Sequence, residues 1–170
     1  MSRHGYVEDC DWSDEDILAY GRHQAQLQSA IRGKRGQAFF LALVEALDAL
    51  PEKSLAANSL ETKDGAVCAL GALARHRSID VKSLELGDQY TDDPDEGSDW
   101  SDADWDKVAG LFDVAPQLAR EVMYENDEAC VCPSESPGNA RWLKVRAWAI
   151  RRLRPETLIG QPEEAKEPLP

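Results

Sequence analysis

The chain lacks any long apolar run and is short of positive charge. No segment of its 170 residues approaches the roughly 20 apolar residues that a membrane-spanning helix needs, and the opening MSRHGYVEDC has no apolar signal-peptide core. We therefore expect a cytoplasmic protein with no membrane partner. Lys and Arg number 19 against 32 Asp and Glu, which gives a net charge of −13. Such a charge repels nucleic acid and attracts basic partners.

Sequence motifs of catalysis are missing as well. The chain has no Walker phosphate-binding loop, no nucleophile elbow and no metalloprotease helix motif. Aspartates occur in pairs, but the sequence shows no apolar surroundings that would raise the pKa of one over its partner. A calcium-binding EF-hand loop starting at Asp92 would need oxygen ligands at Pro94 and Ala103, whose side chains offer none. These absences predict a protein that is not an enzyme and holds no cofactor.

Cysteines are few and poorly spaced for a metal site. The chain contains Cys10, Cys68, Cys130 and Cys132. Structural zinc sites usually start from cysteines separated by two to four residues, whereas the CVC segment has one residue between its cysteines. Cys68 also lies in an apolar run, where a buried thiol is the ordinary outcome. No metal site is therefore predicted, and a small metalloprotein or enzyme of unknown reaction is kept as a second alternative.

Apolar residues recur at helical spacing along most of the chain, and no sustained strand alternation is present. The pattern predicts an all-α fold: a compact single-domain bundle of about five or six helices over residues 1–155. An acidic loop is expected at about 86–100 and a flexible Pro- and Glu-rich tail at 156–170. The predicted helices are a first one from about Ser13 to Ile31, then QAFFLALVEALDAL, AVCALGALARH, DADWDKVAGLFDV, PQLAREVMYEND and ARWLKVRAWAIRRL.

Two short segments nearly repeat each other, DWSDEDI and DWSDADW. In each, a serine followed three residues later by an aspartate imitates the capping box that begins many helices. An apolar residue on either side of this box suits a hydrophobic staple. The residues concerned are Trp12, Ser13, Asp16 and Ile17 in the first segment, and Trp100, Ser101, Asp104 and Trp105 in the second. The repeat thus predicts two helix starts of the same design.

Capping explains only part of the negative charge. Between Glu85 and Asp106 there are ten acids and no Lys or Arg. Like charges repel unless a cationic partner screens them, and carboxylates can occupy a groove built for phosphates because Lys and Arg bind both. We therefore predict a surface that binds a basic protein, itself nucleic-acid-binding, with no direct contact to nucleic acid. The predicted contact residues are Asp92, Asp93, Asp95, Glu96, Asp99, Trp100, Asp102 and Asp106.

A helix-turn-helix DNA-binding regulator is the first alternative. WDKVAGLFDVAPQLAREVMY has its outline, with Asp113 where a glycine is common. Both helices carry acids, so a recognition helix would meet phosphates with the wrong charge. The segment from Arg141 to Arg154 has six basic residues and no acid, and it offers a second surface for the same function.

A family resemblance adds a biological setting. The blocks RGKRGQAFF, ALDALPEK, GAVCALGALAR, REVMYENDE and RWLKVRAWAIRRL, between Arg32 and Leu153, together resemble a group of small proteins of proteobacterial phages and prophages. The resemblance brings no catalytic residues with it. It implies a phage or prophage setting, in which small acidic proteins often inhibit host machinery. Together with the acidic surface, it leads us to expect an accessory protein that binds and inhibits a host nucleic-acid-handling or defence protein. Its effect would be anti-CRISPR-like or anti-restriction-like, through imitation of DNA phosphates.

Overall fold

Helices are the main secondary structure in the part of the chain that a computed structural model describes, namely residues 13–81, 83–84, 100–127 and 137–159. The helices are α1 (Asp14–Arg32), α2 (Lys34–Ala49), α3 (Ala69–His76), α4 (Asp102–Phe112), α5 (Pro116–Asp127), α6 (Pro137–Arg152) and α7 (Pro155–Ile159). Among these residues there is no strand, only an isolated antiparallel bridge between Glu61 and Val67. The predicted all-α bundle is confirmed.

The helices begin and end where the sequence supplies a signal for it. Proline is the first residue of α5, α6 and α7, a position where its missing N–H costs no hydrogen bond and its φ already suits a helix. Pro51 follows the end of α2, as predicted. The short α7 occupies the first residues of the segment expected to be a flexible tail; the rest of that tail, like the acidic loop at 86–99, lies outside the described residues.

Helix α2 supplies the centre of the core. It contacts α1, α3, α6 and α7, and its side chains Phe39, Phe40, Leu43 and Leu47 are at most 1% exposed. Phe40 packs edge-on against Trp148 of α6, with ring centroids 5.2 Å apart. The hydrophobic face predicted for this segment is therefore the face around which the bundle closes.

Helix α3 is built from small residues because it lies tight against the connector that precedes it. A Cβ added at Gly71 would lie 1.8 Å from the backbone oxygen of Leu60, so only glycine permits this approach. Leu55 and Leu60 of the connector are 2% and 5% exposed. Both leucines thus enter the core rather than form a strand pair.

Two buried amides join the helices. The Gln37 amide donates to the carbonyls of Ile31 and Arg152 at 2.9 and 3.0 Å, and its oxygen accepts from the Arg154 backbone at 2.8 Å and the Thr157 hydroxyl at 3.0 Å. Each of these bonds satisfies a group near a helix end that would otherwise be buried without a partner.

Asn126, in the last turn of α5, is the second buried amide that joins elements. Its oxygen accepts from the backbone N–H of Ala69 at the start of α3, 3.1 Å away, and its amide donates to the Ala56 carbonyl at 2.8 Å. Asn126 has no exposed surface. Gln37 therefore joins α1, α2, α6 and α7, and Asn126 joins α5 to α3 and to the connector before it.

The apolar side chains that recur at helical spacing in α5 face the core. Leu118, Ala119, Val122 and Met123 of α5 are all buried. The first helix differs, since Leu27 and Ile31 are buried but Ile17 is 52% exposed. Within the described residues, no helix combines the length and the apolar character needed to cross a membrane.

Candidate functional site

The described part of the predicted acidic surface is the start of α4. Asp92, Asp93, Asp95, Glu96 and Asp99 lie outside the described residues. Trp100, Asp102 and Asp106 lie inside them, at the N-terminal end of α4.

A capping box fixes this helix end. The Ser101 oxygen accepts from the backbone N–H of Asp104 at 3.2 Å, and the Asp104 carboxylate accepts from the Ser101 N–H at 3.1 Å and hydroxyl at 2.7 Å. Lys107 donates to the other carboxylate oxygen at 3.1 Å. The Ser101 hydrogen bond and then Lys107 lower the pKa of Asp104, so this carboxylate is ionised and satisfied within the fold.

The two tryptophans form the predicted staple, and a guanidinium group lies over the ring of Trp105. The rings of Trp100 and Trp105 pack at a 64° angle with centroids 4.7 Å apart. The Arg120 guanidinium of α5 lies 5.6 Å from the Trp105 ring centroid, and it also pairs with the Asp102 carboxylate. Trp100 is 8% exposed, so this predicted contact residue supports the acidic surface from below.

A shallow pocket of about 300 Å³ opens beside this stack. Asp102 and Asp106, one helical turn apart, form its α4 wall, and Arg120 and Gln117 form its α5 wall. His23 of α1 completes the lining; burial, and then the charge of Arg120, lower the pKa of that imidazole. The pocket therefore combines two carboxylates, one guanidinium and an imidazole held in its neutral form at pH 7.

The sequence reading missed Arg120 and His23. Arg120 follows Asp102 by 18 residues and His23 precedes it by 79, so no local pattern joins them. The available signal was the position of Arg120 in α5, one residue after the buried Ala119, which places it at the edge of the packed face.

A larger groove of about 570 Å³ runs between the α1–α2 junction and the turn from α4 to α5. Two side-chain contacts span it: Arg35 pairs with Asp113 at 3.0 Å, and Gln117 donates to Gln26 at 3.0 Å. Asp113 has left-handed backbone angles, φ 53° and ψ 45°, where glycine is commonest. Glycine at this position would lack the carboxylate that pairs with Arg35.

Helices α4 and α5 do form a hairpin, as the helix-turn-helix outline suggests, but the charge on α5 does not suit phosphates. Glu121 and Glu125 lie half-buried on this helix. Burial, and then the charge of Glu125, raise the pKa of Glu121. The α5 cation Arg120 is already paired with Asp102.

Part of the basic segment of α6 is engaged within the fold. Arg146 forms two hydrogen bonds to Asp48 of α2, at 2.5 and 2.8 Å, and Lys144 lies 3.7 Å from Glu125. Arg152 lies over the Trp148 ring at 5.6 Å. These cations brace the bundle, and the basic face predicted from the sequence is correspondingly reduced.

Cys68 is unsuited to bind a metal or to act as a nucleophile. Its side chain is fully buried, its sulfur accepts from the Gly71 N–H at 3.4 Å, and burial raises its pKa to about 12. A protonated thiol is neither a metal ligand nor a nucleophile. Among the described residues no three His, Cys, Asp or Glu side chains are grouped to hold a metal ion; Cys10, Cys130 and Cys132 lie outside this part of the chain.

Comparisons with known proteins do not assign the chain to a family. No protein-family model, no curated protein and no solved structure matches the chain. The resemblance to phage and prophage proteins stays a prediction from the sequence. The function is therefore inferred from the charges and contacts of the described residues.

Proposed function

We propose that the chain is an acidic accessory protein of phage type that binds and inhibits a host protein with a basic surface. The targets that its charge fits are proteins that handle nucleic acid or defend the host, so the effect would be anti-CRISPR-like or anti-restriction-like. The acidic surface, defined as α4 residues Asp102 and Asp106 with the acids predicted at 92–99, takes the place of DNA phosphates in the target.

The observation that supports this proposal is the exposure of the α4 carboxylates on a fixed support. The Asp102 side chain is 92% exposed, and Asp106 is also exposed. Beneath them the capping box and the Trp100–Trp105 pair fix the helix end, so little conformational entropy is lost when a partner binds. Residues one helical turn apart have Cβ atoms about 5–6 Å apart, which lets two basic side chains of a partner bind side by side.

The distribution of cations supports protein binding over DNA binding. Arg146, Lys144 and Arg120 each contact a carboxylate of another helix. A DNA-binding protein gains its affinity from Lys and Arg that neutralise phosphates. With these cations engaged and a net charge of −13, repulsion from DNA dominates.

The proposal is tested by affinity capture from a proteobacterial lysate with two variants of equal charge change. Asp95→Lys with Asp106→Lys reverses the acidic surface, whereas Glu52→Lys with Asp64→Lys reverses two exposed acids elsewhere. We expect the native chain and the second variant to capture the same basic nucleic-acid-binding protein, and the first variant to lose at least about tenfold in affinity. Added duplex DNA should release the captured protein, because both bind one groove.

Four results would contradict the proposal. Equal loss in both variants would show a general charge effect, and capture that resists duplex DNA and salt would exclude phosphate imitation. Retardation of duplex DNA by the chain alone in a low-salt gel would favour the helix-turn-helix alternative. Stoichiometric zinc in elemental analysis of the purified chain would favour the metalloprotein alternative.

A further inference from the structure

The large apolar side chains that stay exposed in the described residues fall on two helices. Ile17 and Leu18, 52% and 64% exposed, lie in the first turns of α1. Leu143 and Ile150, 47% and 36% exposed, lie on α6. Neither pair belongs to the acidic surface, so the proposed function does not account for them.

The first of these patches is a projecting helix end. Every residue from Ser13 to Leu18 is exposed, although α1 is buried further along at Leu27 and Ile31. Its capping box holds these turns in helical form without help from the core. We call residues 14–18, which include the exposed acids Asp14 and Glu15, the α1 arm.

The second patch is an outward stripe on a rigid helix. Leu143, Ala147 and Ile150 are all exposed, and their spacing of four and then three residues places them on one face of α6. The stripe is about 10 Å long at 1.5 Å per residue. Arg151 and Arg154, both exposed, lie at its C-terminal end. We call these five residues the α6 stripe.

The two patches complement each other in both polarity and charge. The arm presents Ile17 and Leu18 beside three acids, one of which, Asp16, belongs to the capping box. The stripe presents Leu143 and Ile150 with two arginines at its end, of which Arg154 also lies 3.9 Å from Glu156. Apolar contact supplies attraction, and opposite charges fix the direction of docking. Reciprocal docking of the arm of each copy on the stripe of the other is an isologous contact, which a two-fold axis generates and which closes at a dimer.

We propose that two copies of the chain associate by reciprocal docking, with the α1 arm of each copy lying on the α6 stripe of the other. The site of association is the α6 stripe, whose apolar residues are Leu143, Ala147 and Ile150. Its occupant is the α1 arm of a second copy. Neither patch includes Asp102 or Asp106 of α4.

Sedimentation equilibrium of the full chain between about 1 and 500 µM tests this dimer. We expect reversible dimerisation, and we expect Leu143→Lys in the stripe and Leu18→Lys in the arm each to raise the dimer Kd at least about tenfold. Both side chains are exposed, so circular dichroism should show unchanged helix content. Ala38→Lys, at an exposed position of α2, is the matched control and should leave the Kd unchanged.

Mixing the two variants gives the decisive measurement. A Leu143→Lys chain retains an intact arm and a Leu18→Lys chain retains an intact stripe, so the mixture should regain one of the two contacts and form a heterodimer that neither variant forms alone. A monomeric native chain throughout the range would overturn the proposal. So would dissociation by the stripe variant alone, which indicates stripe-to-stripe pairing, or growth beyond the dimer, which indicates contacts that do not close.

Discussion

The starts of α1 and α4 share one sequence motif and one local geometry, yet they differ in everything around it. The serine hydroxyl donates to the aspartate at 2.6 Å in the first box and at 2.7 Å in the second. At the position after that aspartate, α1 has Ile17, 52% exposed, whereas α4 has Trp105, 4% exposed. One helix end stands in solvent, and the other is part of the core.

The difference shows which properties a short motif can determine. Hydrogen bonds within four residues depend only on those residues, so both boxes form. The surroundings of α4 come from residues distant in the chain, chiefly Arg120, which contacts both Asp102 and Trp105. The same motif thus serves as a projecting end in α1 and as the support of an acidic surface in α4.

The largest expected effect is on stability, from truncation of the residue that follows the aspartate in each box. Trp105→Ala removes a buried aromatic side chain and its contacts with Trp100 and Arg120. It should lower the free energy of unfolding by about 3–5 kcal/mol. Ile17→Ala, the matched change in α1, should alter it by no more than about 0.5 kcal/mol.

Urea denaturation followed by circular dichroism measures both values, at a protein concentration low enough to exclude association. Equal losses in the two variants would mean that the end of α1 is buried in solution like that of α4. The comparison between the two helix starts would then fail.

A smaller difference is expected for the caps themselves. Ser101→Ala should lower the free energy of unfolding by about 1–2 kcal/mol, because α4 cannot fray without disturbing the tryptophan pair. Ser13→Ala should cost about 0.5 kcal/mol, since the first turns of α1 can fray without loss of packing. Amide hydrogen exchange is the sharper measurement: we expect the Ser13 variant to lose protection only near residues 14–18. Loss of protection throughout α1 would contradict this.

The sequence predicted the features that depend on neighbours in the chain. Both capping boxes, the Trp100–Trp105 pair and the buried face of α5 follow from spacing alone, and the structure confirms them. The exposure of Ile17 could not be predicted, because helical spacing shows which residues share a face and does not show where the bundle ends.

Contacts between distant segments could not be predicted either, because spacing along the chain does not show which distant residues meet. The basic run of α6 suggested a binding face, but Asp48 and Glu125 of other helices engage it. No role was predicted for Gln37 or Asn126, although Asn126 follows Val122 by four positions and so falls on the buried face of α5. That spacing is a usable signal for a buried amide that joins elements.

The smallest expected effect concerns the charge of the two box aspartates. Their serine hydrogen bonds lower the pKa of Asp16 and Asp104 below 3.8, and Lys107 lowers that of Asp104 further. A carboxylate with a lowered pKa in the folded state stabilises the fold above its unfolded pKa, and this contribution is lost as the pH falls through the folded value. Asp104→Asn, which keeps an acceptor oxygen but removes the charge, should therefore be less stable than the native chain at pH 7, and the difference should shrink as the pH falls through the lowered folded pKa of Asp104. Asp16→Asn should show the same trend with a smaller amplitude, because no lysine reinforces its charge.

Urea midpoints across the pH series measure both variants against the native chain. A difference in stability that stays constant with pH would show that the aspartate contributes its shape rather than its charge.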